Sequence, residues 1–351
     1  MRMKHERFAI LGGGIAGLAA AIALARQGHE VEVLEKAKTF DLIGSGIQLG
    51  PNAVRALQKI GAWDAVEPIT YSPPALCFRS GTSGKLLKEV RLGEVFERRF
   101  GQPYRVAHRA DLHSSLLAVA KSLPQVEITM GVSRNTTELT EPVIAADGIW
   151  SKTREQLFPD TAATTDSTLL FRAMIDMPQV SSLNLECVNL WFYPGAHVVH
   201  YPVGREEKLN LVVNGLNTSP RQLLAYAANN LRELIASVPS WTPWPAAYVK
   251  PLASWHKDNV LLIGDAAHGT LPYLAQGAAM SLEDAAALLE TTDPVKFEQL
   301  RLARCVRLHE QTLRVGQIYH FPGLNALMRN AALRFSSDET ILGRVAWIYG
   351  G

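Results

Sequence analysis

Near its start the sequence runs Gly12-Gly13-Gly14-Ile15-Ala16-Gly17, inside eighteen consecutive uncharged residues from Phe8 to Ala25. A run of that length meets the threshold for a membrane helix, and behind a basic start it also looks like an export signal. The glycines argue against both. Each costs about 1 kcal/mol of helix propensity relative to alanine, and three fall together where a spanning helix would have to pass. Before them, "RFAIL" is a short β-type run. After them, "IAGLAAAIALARQ" is rich in alanine and leucine and ends at Gly28, a helix-stopping residue. The next segment, "HEVEVLEK", alternates Val31 and Val33 with Glu30 and Glu32 and ends in Glu35, which predicts a second strand. Strand, glycine turn, helix, strand is a cofactor turn rather than a span.

Gly12, Gly14 and Gly17 have the spacing Gly-x-Gly-x-x-Gly, with an acid about twenty positions on. Gly12 permits the sharp turn off the strand, Gly14 lets the backbone approach a pyrophosphate, and Gly17 lets the helix pack closely on the sheet. The helix N-terminus presents N–H groups and a positive partial charge to phosphates. Glu35 is placed to accept hydrogen bonds from an adenosine ribose.

The remaining composition narrows the class. At 351 residues there is room for two domains. With 47% hydrophobic and 19% charged residues and a net charge of +2, the chain reads as an ordinary globular protein. It has no basic stripe for nucleic acid and no acidic tail for a protein partner. Cys77, Cys187 and Cys305 are scattered without metal-ligand spacing, which predicts no metal site and a reduced, cytoplasmic setting.

Three further segments carry chemistry. "DNVLLIGDAAHGTLPYLAQGAAMSLEDAAALLE" predicts a strand, the Gly264-Asp265 turn, a proline loop and a helix starting near Gln276-Gly277. Asp265 falls where ligands gather in α/β sheets and suits the hydroxyls of a sugar alcohol. The Gly277 helix end offers N–H groups to an anionic edge of a reduced flavin. "TEPVIAADGIWSKTREQLF" predicts a strand and the Asp147-Gly148 turn, followed by Ser151 and Arg154. "YRVAHRADLHSSLLAVAKSL" sets Arg109 before a helix with Asp111 as its expected N-cap; Arg109 itself reads equally as a cofactor contact or a surface arginine.

Taken in order, "GGGIAGLAAA…E", "HRADL", "AADGIWSKTR" and "GDAAHGTLPYLAQGAAMSLEDA" resemble the FAD-dependent aromatic hydroxylases of the p-hydroxybenzoate hydroxylase fold, over nearly the whole chain. "GSGIQLGPNAVRAL" at Gly44 to Leu57, "HVVHYPV" at His197 to Val203 and the tail "GQIYHFPGLNALMRN…WIYG" add likeness to the branch with salicylate hydroxylase, 3-hydroxybenzoate 6-hydroxylase and 6-hydroxynicotinate 3-monooxygenase. The resemblance implies an α/β fold, with a Rossmann-type FAD-binding domain (1–70, 106–160 and 256–293) interleaved with a β-sheet substrate domain (71–105 and 161–255) and C-terminal helices (294–351). It implies that Glu35 and Arg109 hold the adenosine and diphosphate of FAD and Asp265 its ribityl-diphosphate. Pro272, Gln276, Gly277 and Ala278 fall by the flavin ring, and Asp147-Gly148 in a motif used for both FAD and NAD(P)H. Relatives carry a longer β-meander between "VEITM" and "PVIAADG"; this chain has room for little more than one short hairpin.

With no second glycine fingerprint, NADH or NADPH is expected as a transient co-substrate. In such enzymes the reduced flavin meets O2 to give a C4a-hydroperoxide that attacks an electron-rich ring, here a small aromatic or N-heteroaromatic acid. A phenol gains electron density by losing its proton, which calls for a base. On a strand, His197, Val199 and Tyr201 share one face and His200 the other. His197 is the candidate base and Tyr201 the orienting hydroxyl, against the plainer reading of a rim histidine and a core tyrosine. Gln48 is a candidate for hydrogen bonding to substrate. His200 and His268 read as structural, and at most two of Tyr193, Tyr273, Tyr319, Phe321 and Trp347 are expected to line a pocket. Alternatives are a same-fold FAD epoxidase or oxidase of a non-aromatic substrate, or a non-catalytic FAD-binding redox sensor. The expected assembly is a monomer or homodimer.

Overall fold

The structure is a computed structural model that describes residues 6–40, 45–178, 183–204, 208–216 and 218–350; Gly44, where one resemblance motif starts, lies outside them. The uncharged run splits as its glycines dictate. Arg7–Leu11 is a strand and Ile15–Arg26 a helix, which stops where Gly28 takes φ +88 and donates its N–H to the Ala25 carbonyl. Glu30–Glu35 is the second strand, parallel to the first. Among the described residues no helix is long and apolar enough to cross a membrane.

These strands sit inside a six-stranded sheet in the order His256–Lys257, Val260–Leu262, Val143–Ala145, Arg7–Leu11, Glu30–Glu35, Val126–Met130. All its pairings are parallel except the outermost, His256–Lys257 with Val260–Leu262. Parallel strands covered on both faces read as near-continuous apolar runs. Even Glu32, in the alternating segment, is buried and needs the Arg7 guanidinium at 2.9 Å. The helices Ile15–Arg26 and Gly277–Leu288 pack on this sheet, with Ile10, Leu18, Ile22, Leu262 and Leu282 all fully buried in one core.

A seven-stranded sheet runs Thr242–Tyr248, Thr164–Asp176, Lys208–Leu216, Ala196–Val203, Val188–Tyr193, Ala75–Ser80, Leu86–Arg91. It is antiparallel apart from the Val188–Tyr193 pairing with Ala75–Ser80. A small sheet of Gly46–Leu49, Arg105–His108 and Thr70–Tyr71 lies between chain segments of the two larger ones. Cys77, Cys187 and Cys305 are free thiols, all buried.

One expectation is corrected here. Asp111 is not an N-cap: the helix is Arg109–Ser122, with His108 at the cap position and Asp111 in the first turn. The Arg109 N–H donates to the Ser45 carbonyl at 2.8 Å, so the chain turns directly from the Arg105–His108 strand into the helix. The interval between Val126–Met130 and Val143–Ala145 is as short as the sequence implies, with no longer β-meander. A single 3-10 turn at Thr136–Glu138 fills that interval.

Candidate active site

At the nucleotide end, each fingerprint glycine is constrained differently. Gly12 has φ +105, and a Cβ there would stand 2.5 Å from the Ala146 carbonyl oxygen. A Cβ on Gly17 would stand 1.9 Å from the Gly12 oxygen. Both are set by packing of the turn against the chain. Gly14 is different: nothing of the protein lies within 4 Å of a Cβ there, and its backbone faces open space. Beyond it lies a cavity of about 280 Å³ lined by Gly12, Gly14, Glu35, Arg134, Asp147 and Trp150.

Glu35 is already engaged by the turn. Its Oε2 accepts the Gly13 N–H at 2.7 Å and its Oε1 the Ala37 N–H at 2.8 Å. The carboxylate therefore locks the turn's shape as well as lining the cavity. The Asp147-Gly148 turn abuts Gly12, with the Ala146 N–H donating to the Leu11 carbonyl. Asp147 accepts the Ser151 hydroxyl at 2.5 Å and the Thr153 N–H at 3.2 Å, while Gly148, at φ +83, faces open space. Arg154 is buried and donates to the Thr161, Ala266 and Ile149 carbonyls, so it ties this turn to the Asp265 loop.

A second cavity of about 670 Å³ lies between the sheets, lined among others by Arg109, Arg172, Trp244, Asp265 and Pro272. Gly148 and Trp150 line both cavities, which makes the two adjacent. Gly264, at φ +58, leads into the short helix Asp265–His268, and the Asp265 side chain opens onto the larger cavity. Enclosure in the cleft pushes the Asp265 carboxyl up, with His268 and Arg109 pulling it back. The helix Gly277–Leu288 points its N-terminus at the same place, the nearest atom to a Cβ on Gly277 being the Asp265 Oδ1 at 4.0 Å. The Gln276 side chain is buried and its Oε1 accepts the Asn52 amide at 2.9 Å. Ala278 packs at the edge of the large core.

Buried charges hold this loop. His268 Nε2 lies 2.6 Å from Asp284 Oδ2, which also accepts the Gly264 N–H, while Asp284 Oδ1 accepts from Arg301 at 2.8 Å. Burial opposes the charges, yet Cys305 and Asp284 keep His268 well above the ordinary imidazole range. Against the same burial, His268 and Arg301 hold Asp284 at about 2. A paired buried network of this kind fixes geometry. His268 is thus structural.

The seven-stranded sheet brings the aromatic side of the site. His197 and Tyr201 share a face of Ala196–Val203 and both are buried, but they have different partners. His197 Nδ1 lies 2.9 Å from His320 Nε2, and its ring sits 5.4 Å from Tyr319 and 5.6 Å from Tyr273, centre to centre. Burial and the neighbouring His320 keep His197 well below the ordinary imidazole range, so the ring is neutral. Tyr201 instead joins Gln48, whose Oε1 accepts the Tyr104 hydroxyl at 2.5 Å. Burial pushes the Tyr201 and Tyr319 hydroxyls up.

Of the five aromatics considered, Tyr273 and Tyr319 flank His197. Tyr193 donates to the Gly81 carbonyl at 2.7 Å in a separate cluster, and Trp347 lies under Arg307 at 4.1 Å. His200 is fully buried beside Trp191. Sequence reasoning missed His320 and Tyr104. His320 stands in the quoted tail "GQIYHFPG", but its contact to His197 spans 123 positions.

The chain matches the FAD binding domain family over residues 139–291 and the NAD(P)-binding Rossmann-like domain family over residues 10–40. It is 34% identical to a 3-hydroxybenzoate 6-hydroxylase of Polaromonas naphthalenivorans, covering 97% of this chain and 95% of that protein. It is 29% identical to a 6-hydroxynicotinate 3-monooxygenase of Pseudomonas fluorescens, covering 93% and 92%. Its fold superposes on salicylate hydroxylase in a substrate complex with a TM-score of 0.80 at 22% identity, covering 99% and 96% of the two chains. It superposes on Klebsiella pneumoniae HpxO complexed with FAD and uric acid with a TM-score of 0.84 at 21% identity, covering 98% and 96%.

Proposed function

The chain belongs to the FAD-dependent monooxygenases that hydroxylate aromatic compounds, and from that premise we propose that its substrate is a small hydroxylated aromatic or N-heteroaromatic acid, with NADH or NADPH and O2 as co-substrates. The residues fit FAD: Gly14 and Gly148 leave open space where a Cβ would stand, and the Asp265 carboxyl opens into the adjoining cavity. FAD, when bound, supplies hydride acceptance and O2 activation. Glu35 and Arg109 would hold its nucleotide end and Asp265 its ribityl chain. The N–H groups at the Gly277 helix end would favour negative charge on the ring.

One observation carries the substrate assignment. Pro272 lines the larger cavity, and the next residue, Tyr273, packs against a buried, neutral His197. A neutral imidazole has a lone pair to accept a phenolic proton, which the ring must shed to become a strong nucleophile. Tyr201, Gln48 and Tyr104 form a hydroxyl–amide group on the same side of the sheet, suited to orienting the substrate's polar substituents. The chain segments that build these features support a discontinuous FAD-binding unit (1–70, 106–160, 256–293) around a substrate unit (71–105, 161–255). The test is NADH and NADPH oxidation by the FAD-loaded protein against a panel of hydroxybenzoates and hydroxynicotinates. Strong stimulation by one of them is expected; no stimulation by any, with FAD bound, overturns the assignment.

A further inference from the structure

We propose that His320 takes the substrate's proton from His197 and passes it to solvent, so that the two histidines form a proton exit from the bound aromatic ring. The inference rests on the reading of His197 as the base and names the residue that makes such a base workable. A buried imidazole is costly to charge, and among the described residues it is His320, not a carboxylate, that acts electrostatically on His197. Its ring neighbours are Tyr273 on the Pro272–Leu274 turn, and Tyr319 and His320 at the end of the long helix Pro294–Tyr319. Such a ring accepts a proton only if it gives one up in the same step.

His320 is built to receive it. It lies at hydrogen-bond distance, 2.9 Å from Nδ1 to Nε2, and unlike the buried His197 it is partly exposed. Its backbone is pinned. The Gly195 N–H donates to its carbonyl at 3.0 Å, one residue from the strand that carries His197. The Arg329 guanidinium donates to the preceding Ile318 and Tyr319 carbonyls at 3.1 and 2.7 Å. The charged groups facing His320 are Asp166 on the Thr164–Asp176 strand, which favours its protonation, and Arg329 on the Gly323–Phe335 helix, which disfavours it. Burial outweighs the carboxylate and holds His320 at about 4, so at neutral pH it transmits a proton rather than storing one.

The transfer balances without charging either ring. The substrate O–H breaks and its proton goes to Nε2 of His197, while the Nδ1–H of His197 breaks and that proton goes to Nε2 of His320. The Nδ1–H of His320 then passes to water. Each imidazole ends neutral in its other tautomer, and the net change is a bound phenolate and a proton in solvent. Reverse passage resets the pair.

The test follows anaerobic binding of 3-hydroxybenzoate, and separately of 6-hydroxynicotinate, to the FAD-loaded protein by stopped flow. Ultraviolet absorbance reports deprotonation of the bound ring and a pH indicator reports proton release. In wild type both signals are expected together with at least one compound. In His320→Gln, which keeps a hydrogen-bonding side chain but cannot relay, both are expected to slow about 10²- to 10⁴-fold, the range of a general acid–base contribution. Retained FAD absorbance checks the fold. In His320→Ala, free imidazole is expected to restore the rate, which a merely structural histidine would not allow. Unaltered proton release in His320→Gln, or no imidazole rescue in His320→Ala, overturns the relay alone. Wild type that binds these acids without deprotonating them overturns both the relay and the reading of His197 as base.

Discussion

Replacing Gly14 with alanine separates a glycine kept for the ligand from one kept for the fold. Gly14 has φ −76 and ψ −173, extended backbone that any residue adopts, and nothing of the protein lies within 4 Å of the added methyl. The apoprotein should therefore lose no stability, and should gain about 0.4–1 kcal/mol from the reduced freedom of the unfolded chain. In the loaded protein the methyl enters the cavity that Gly14 lines, where it crowds the pyrophosphate. Overpacking costs about 1–3 kcal/mol, so the FAD dissociation constant should rise roughly 5- to 150-fold. Gly17→Ala is the control. Its Cβ would stand 1.9 Å from the Gly12 carbonyl oxygen, which is backbone and cannot step aside, so the apoprotein itself should lose about 1–3 kcal/mol or more. Thermal unfolding of both apoproteins and FAD fluorescence titrations read the two effects. A Gly14→Ala protein that binds FAD as tightly as wild type, or that is as destabilised as Gly17→Ala without FAD, would refute the reasoning.

Asp284→Asn should destabilise the protein by about 3–5 kcal/mol, because it leaves Arg301 and His268 buried without their shared carboxylate, and calorimetry reads the loss. The pH dependence has two limbs. Asp284 is depressed to about 2, so its contribution is present above the ordinary carboxylate range and is lost as pH falls through about 2. His268 is raised, so its contribution is complete below about 6.5 and is lost as pH climbs through its higher folded value. Both limbs should flatten in Asp284→Asn when thermal unfolding is followed against pH. His197→Gln should lower kcat by about 10²- to 10⁴-fold while FAD absorbance and affinity stay unchanged; an unaffected kcat removes its role as base. Glu35→Gln weakens the acceptor of the Gly13 and Ala37 N–H groups and should weaken FAD binding by about 1.5–3 kcal/mol, the value of a hydrogen bond to a charged group, which titration measures.

What could be read in the sequence was local. The fingerprint turn, the Asp147-Gly148 turn and the Gly264-Asp265 loop are each one strand followed by one turn, and glycine positions mark them within a few residues. The His197 and Tyr201 alternation followed from strand period alone. Partners brought together by the tertiary fold were not legible. Gln48 meets Tyr104 across 56 positions and His197 meets His320 across 123, and no periodicity reports such a distance. The same reason explains the misplaced helix start at Asp111. An acid is a good cap by propensity, but the Arg109 N–H was already taken by the Ser45 carbonyl, just ahead of the Gly46–Leu49 strand. Gln276 was expected by the flavin ring, and the Asn52 amide that holds its side chain lies 224 positions away, a partner no periodicity reports.

The most direct test of the account is the mass of the product formed from a stimulating hydroxylated aromatic acid, NAD(P)H and heavy-isotope O2 by the FAD-loaded protein. The account predicts a ring-hydroxylated product carrying one labelled oxygen atom from the gas. A product without the label, or NAD(P)H consumed with the aromatic acid recovered unchanged, would contradict it.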